Sequence, residues 1–170
     1  MTWTASSSAW SNAVAAAAIV WTCLAPFPAR AAEKEAPVKK IVLIAGAKSH
    51  GPGEHEYEKG VRLLKHCLDT SPNLRGFKTE VHLDGWPKDE KALDDAATVL
   101  LFSDGADRQE QAHPLLRERR LQTMQKLMER GVGFVAIHYT VLVPTKRGGE
   151  QFLDWVGGYF DYESGPAPRG

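Results

Sequence analysis

Three short strings of this sequence set imidazoles and carboxylates at the ends of apolar runs: Ser49-His50 with Glu54-His55, Asp104 with Asp107-Arg108, and His138-Tyr139. An imidazole changes charge close to neutral pH and a carboxylate beside it can orient its ring, so such strings suit proton transfer to or from a substrate hydroxyl. On this reading His138, Asp104 and His50 carry the chemistry, and Glu54, His55, Tyr139 and Asp107 line the substrate site. His138 acts as general acid or base, and Asp104 orients it or holds a substrate hydroxyl. The same residues suggest a metal. His50, His55 and His138 would give zinc or another divalent ion three nitrogens and leave a position open for water, although their spacing matches no recognised zinc pattern.

Each residue also has a plainer explanation. His50 and His55 lie in a Gly-Pro loop where polar side chains are common, and Glu54 would favour the start of the following helix through its dipole. Tyr139, Asp107 and Arg108 would simply be solvated. His138 resists this treatment because it ends an otherwise apolar strand, where a polar side chain must find a partner or open onto a cleft. Asp104 stands in the same position. His66, His82 and His113 fall elsewhere, and the run Arg117 to Arg120 is interrupted by Glu118.

The elements that position these strings alternate in type. Ile41-Val42-Leu43-Ile44-Ala45, Thr98-Val99-Leu100-Leu101-Phe102 and Gly133-Phe134-Val135-Ala136-Ile137 are continuous apolar runs, the pattern of strands buried on both faces. Phe77 to Leu83 alternates apolar and polar, as an edge strand with one wetter face does. Tyr57, Val61, Leu64 and Leu68 recur at helical spacing, with Cys67 read as a small buried hydrophobe on the same helix. Asp89 to Ala96 predicts a short helix. Leu116, Leu121, Met124, Leu127 and Met128 predict a longer one that Gly131 closes, and Glu150 to Trp155 a last turn or two. Strands alternating with helices imply right-handed parallel crossovers, hence an α/β, three-layer flavodoxin-like sheet of order 2-1-3-4. Ligands of such sheets bind beyond the carboxyl ends of the strands, where strand order reverses. All three strings fall on that rim.

The 170 residues carry 21 basic and 21 acidic side chains. No net field draws the chain to nucleic acid or anionic lipid. Residues 1–31 differ from the rest: they hold one Arg and no Asp, Glu or Lys, and Ala13 to Leu24 is a nearly unbroken apolar run too short to span a bilayer. Ala29-Arg30-Ala31 supplies the small residues of a signal-peptidase site, so the expected organisation is a signal peptide at 1–31, a linker at 32–37, a domain at 38–160 and a flexible tail at 161–170. Cleavage leaves a net charge of −1 and predicts an exported, periplasmic or extracellular protein without a membrane anchor. A last strand left as an apolar edge predicts a domain incomplete at its carboxyl end, or a homo-oligomer formed through the open edge.

The strings Lys40 to Gly46, Ser49 to Tyr57, Leu101 to Asp107 and Gly131 to Tyr139, with Trp155-Val156-Gly157-Gly158-Tyr159, resemble the ThuA-like (trehalose-utilisation) family over roughly residues 38 to 160. That family is similar in fold to class I glutamine amidotransferases, which carry a nucleophilic Cys after a central strand. The corresponding strand here ends in His138 with no Cys near it, so cysteine-dependent amidotransferase chemistry is not supported. The resemblance implies a small-molecule carbohydrate related to trehalose as partner. The alternatives are a non-catalytic sugar-binding or interaction module that uses Trp86, Trp155, Tyr159 and Phe160, or an inactive fragment.

Overall fold

A computed structural model describes residues 37–107 and 109–161. The expected signal segment 1–31, Arg108 and nearly all of the expected tail lie outside the described residues. Four parallel strands, β1 (Lys39–Ala45), β2 (Phe77–His82), β3 (Ala96–Phe102) and β4 (Gly133–Ile137), form one sheet ordered β2-β1-β3-β4. The α/β sheet of order 2-1-3-4 expected from the sequence is therefore the observed one, with helices α1 (Tyr57–Thr70), α2 (Arg120–Glu129) and α3 (Glu150–Val156) flanking it. Among the described residues no helix is long and apolar enough to cross a membrane.

The unbroken apolar run of β1 is explained by two cores. Val42 and Ile44 join Val99, Leu101, Met124, Leu127 and Phe152 in the cluster under α2 and α3. Leu43 and Ala45 face the other way, into a smaller cluster with Tyr57, Val61 and Leu100 under α1. Successive strand residues point to opposite faces, so a strand covered on both sides has no position for a polar residue.

The register of β3 against β4 sets Val135 opposite Leu100, on the α1 face. There Val135 keeps 41% of its surface exposed, so β4 is the apolar edge expected of the last strand, although its unbroken apolar run taken alone reads as a buried one. Three corrections are local. Cys67 is exposed on α1. The helix expected over Asp89–Ala96 is a 3-10 turn at Glu90–Leu93, because Ala96 already belongs to β3. Leu116 lies in a separate 3-10 turn at Pro114–Leu116, since Glu118 takes a left-handed φ of 53° and breaks the helix before α2 begins.

The two ends of the sheet do different work. At the amino end of β1 the buried Lys40 ammonium lies between Asp95 and Glu80. Burial opposes its charge most strongly, but the bonds to Asp95 and then Glu80 outweigh that and hold Lys40 above the ordinary lysine range. A buried cation of this kind is satisfied and structural.

Candidate functional site

The chain leaves β1 through a tight passage. Gly46 N–H donates to the Phe102 carbonyl at 2.8 Å, and a Cβ at Gly46 would stand 2.7 Å from the Ser103 Cβ. Only a residue without a side chain lets the exit of β1 lie against the exit of β3. Gly46→Ala is expected to cost about 1–3 kcal/mol in urea unfolding, because overpacked backbone has to shift. An unchanged midpoint would show that this passage yields freely.

Beyond Gly46 the loop from Ser49 to Glu56 folds back over the strand ends. Glu54 accepts from Gly51 N–H at 2.9 Å and Glu56 accepts from Gly53 N–H at 2.8 Å, so both carboxylates fasten the loop. The fastened loop turns His50 and His55 towards each other. Their Nδ1 atoms lie 3.0 Å apart, and His50 Nδ1 is also 2.8 Å from Ser49 Oγ and 3.9 Å from Asp104 Oδ2. Ser49 Oγ in turn meets the Tyr57 hydroxyl at 3.1 Å. Burial raises the Tyr57 phenol above its ordinary range; the Ser49 bond opposes this, and the Asp104 and Asp107 charges add to it. Tyr57 thus stays a neutral hydroxyl.

Asp104, nearly buried at 8% exposure, enters from the end of β3 with Oδ1 accepting Gly105 N–H at 3.0 Å. The turn after β4 supplies the outer wall. His138 is exposed and takes a left-handed φ of 59°, a conformation that non-glycine residues adopt at a cost and often at functional sites. Its Nδ1 accepts the Tyr139 N–H at 2.8 Å. With that bond made, the neutral ring carries its proton on Nε2 and offers it outward as a donor. The His138 ring is 4.7 Å from the His55 ring, and Tyr139 approaches His55 edge-on at 5.2 Å.

The structure therefore brings together His50, His55, Asp104, His138 and Tyr139 from three neighbouring strand ends. One ligand atom from each of His50, His55 and Asp104 lies within 4.8 Å of the others, so Asp104, and not His138, completes the compact group. Glu54 is not in that group, being spent on its loop. Asp107 is half-buried and close enough for its charge to bear on Tyr57. His66 is exposed on α1, and His82 pairs with Glu80 at 2.9 Å. Beside His55 a hollow of about 110 Å³ extends to Lys48, Leu83 and Asp84, smaller than the roughly 300 Å³ at which small-molecule pockets begin. A substrate as large as a disaccharide would rest across the open rim.

Sequence reasoning missed what holds this rim together. Thr140, fully buried, donates from Oγ1 to the Leu101 carbonyl at 3.1 Å and accepts Ser103 N–H at 3.0 Å, tying the turn after β4 to the end of β3. His113, also fully buried, donates from Nε2 to the Thr140 carbonyl at 2.8 Å, while its Nδ1 accepts Leu115 N–H at 3.2 Å. Its place before Pro114-Leu115-Leu116, a string that proves wholly buried, is the signal that could have revealed it. Trp86 and Trp155 are core residues: the Trp86 indole N–H donates to Glu90 at 2.7 Å, and Trp155 packs edge-on against Phe134. Trp86 is buried and offers no flat face for stacking on a sugar, whereas Trp155 is half-buried.

Compared with protein-family models, curated proteins and solved structures, the chain matches none.

Proposed function

We propose that this protein is a ThuA-like domain that acts on a carbohydrate of the trehalose class after export and loss of residues 1–31. The observation that carries the reading is the convergence of His50, His55 and Asp104 within 4.8 Å, with His138 and Tyr139 standing beside them. A sugar offers hydroxyl and acetal oxygens and almost no charge. It is well served by several neutral donors and acceptors at fixed positions, with one imidazole–carboxylate pair to move a proton.

In this reading His50, with Asp104 Oδ2 3.9 Å from its Nδ1, accepts or returns the proton of a sugar hydroxyl. His138 donates from Nε2 to the oxygen on which charge develops, and its bond from Tyr139 N–H keeps that tautomer. The Tyr139 hydroxyl orients the sugar at the rim.

The test pairs calorimetric titration of the exported protein, its start confirmed by intact mass, with a chromatographic assay of products from trehalose and other disaccharides. Binding with turnover is expected. Binding without turnover would turn the reading into a sugar-binding module, and neither binding nor turnover would end it.

A further inference from the structure

We infer that His50, His55 and Asp104 form a site for one divalent transition-metal ion at the carboxyl edge of β1 and β3. The inference deepens the carbohydrate reading and rests on it for the substrate, while the ion can be tested without a sugar. The distances come first. His50 Nδ1 is 3.0 Å from His55 Nδ1 and 3.9 Å from Asp104 Oδ2. Donors bound to one ion at about 2.0–2.2 Å sit about 3–3.5 Å from each other. The first gap already has that spacing, the second is wider, and all three donors lie within 4.8 Å of one another, so ion binding requires the Asp104 carboxylate to move inward.

Hydrogen-bond accounting gives the second argument. His50 Nδ1 has three claimants: Ser49 Oγ at 2.8 Å, His55 Nδ1 at 3.0 Å and the Asp104 carboxylate. A ring nitrogen has either one proton or one lone pair, so it can serve only one of them well. A cation between the three groups resolves the competition. Both imidazoles and the carboxylate then present lone pairs to it, and Ser49 keeps its contact with the Tyr57 hydroxyl at 3.1 Å.

Asp104 supplies the third argument. It is 8% exposed, its Oδ1 is fixed by Gly105 N–H, and its ion-pair partner among the described residues is a histidine that need not be charged. A nearly buried carboxylate gains from a permanent positive charge within reach of its free oxygen. Gly105 N–H then acts as the outer-shell contact that aims the ligand.

Two imidazoles and one carboxylate select among ions. Magnesium and calcium prefer all-oxygen shells, whereas mixed nitrogen and oxygen sets suit zinc and its first-row neighbours. Three protein donors leave positions for water or for sugar hydroxyls. His138 and Tyr139 stand beside the site, with rings 4.7 and 5.2 Å from that of His55. When the ion is bound, His50 holds it, and a bound water takes over as the proton acceptor.

The experiment uses the full chain without an affinity tag, stripped with chelator and titrated with Zn²⁺ by calorimetry and with Co²⁺ by visible absorbance. One ion per chain is expected, for the wild type and for His138→Asn alike. Asp104→Asn and His55→Ala should each weaken Zn²⁺ binding by more than the about 10–100-fold typical of losing an outer-shell partner, and abolish the Co²⁺ bands. Circular dichroism of each variant separates ligand loss from unfolding. The assignment falls if the wild type binds no stoichiometric ion, if folded Asp104→Asn and His55→Ala bind as the wild type does, or if His138→Asn abolishes binding. Disaccharide turnover measured on the same samples separates the two readings. An ion bound without turnover keeps the site and removes the carbohydrate reading, and turnover in a protein that binds no stoichiometric ion does the reverse.

Discussion

Replacing His138 by Asn is expected to lower kcat/KM on the sugar substrate by about 10²–10³-fold while leaving the fold intact. Removing one well-placed donor from an oxygen that gains charge in the transition state costs about that much. The position suits such a substitution. His138 is exposed, so little burial is lost beyond its stacking on Phe102, and Asn is among the residues that tolerate the left-handed region in which its φ of 59° lies. What disappears is the Nε2–H that the Tyr139 N–H fixes by occupying Nδ1. The loss should fall on kcat more than on KM, because the donor acts on the reacting oxygen and not on the whole sugar. Steady-state kinetics of both proteins, with urea midpoints to verify equal stability, would decide it. An unchanged kcat would remove His138 from the reaction and leave it as a residue of the turn.

The framework that delivers His138 was legible because it depends on pattern. Runs such as Ile41 to Ala45 and Thr98 to Phe102 permit few arrangements other than strands covered on both faces, and the alternation of elements fixes parallel order. From that order followed the rim and the convergence of His50, Asp104 and His138. What stayed hidden depends on atoms beyond the reach of pattern. Glu54 shares the loop of His50 and His55, yet one bond to Gly51 N–H turns its carboxylate into a fastener. Cys67 shares the helix of Val61 and Leu64 but faces outward, since a helix of 14 residues packed on one side hides only a narrow stripe. Val135 has the composition of a core residue and is 41% exposed, because burial depends on what covers a face as well as on what composes it. Thr140 and His113 went unnoticed for the opposite reason. A buried polar residue is chosen to satisfy particular backbone groups, here the Leu101 carbonyl, Ser103 N–H and Leu115 N–H, and no periodicity announces it.

His113 makes the stability of the rim depend on pH. Burial is the chief cause that pushes this imidazole down to about 4 from its ordinary 6.5; its bond to the Thr140 carbonyl and the Asp104 charge oppose the shift. Above pH 6.5 the ring is neutral in both the folded and unfolded chains and contributes no pH dependence. Below it the unfolded chain takes up a proton that the folded chain refuses, so folding stability drains away as pH falls towards 4. The loss from this one residue is about 2 kcal/mol at pH 5 and about 3 kcal/mol at pH 4, the shift converted at 1.36 kcal/mol per unit. His113→Asn removes the titration while keeping an oxygen able to accept Leu115 N–H, a role Asn fills well at the start of a helical turn. The variant should be less stable at pH 7.5, where it lacks the donor to Thr140, yet lose about 2 kcal/mol less than the wild type between pH 7.5 and pH 5. Parallel slopes of unfolding free energy against pH for the two proteins would show that the buried ring accepts its proton without cost. Because the same ring supports Thr140, and Thr140 joins the turn of His138 to the strand end of Asp104, acid that protonates His113 loosens the rim from beneath. Loss of activity in acid should therefore track the unfolding transition of the wild type and move to lower pH in His113→Asn.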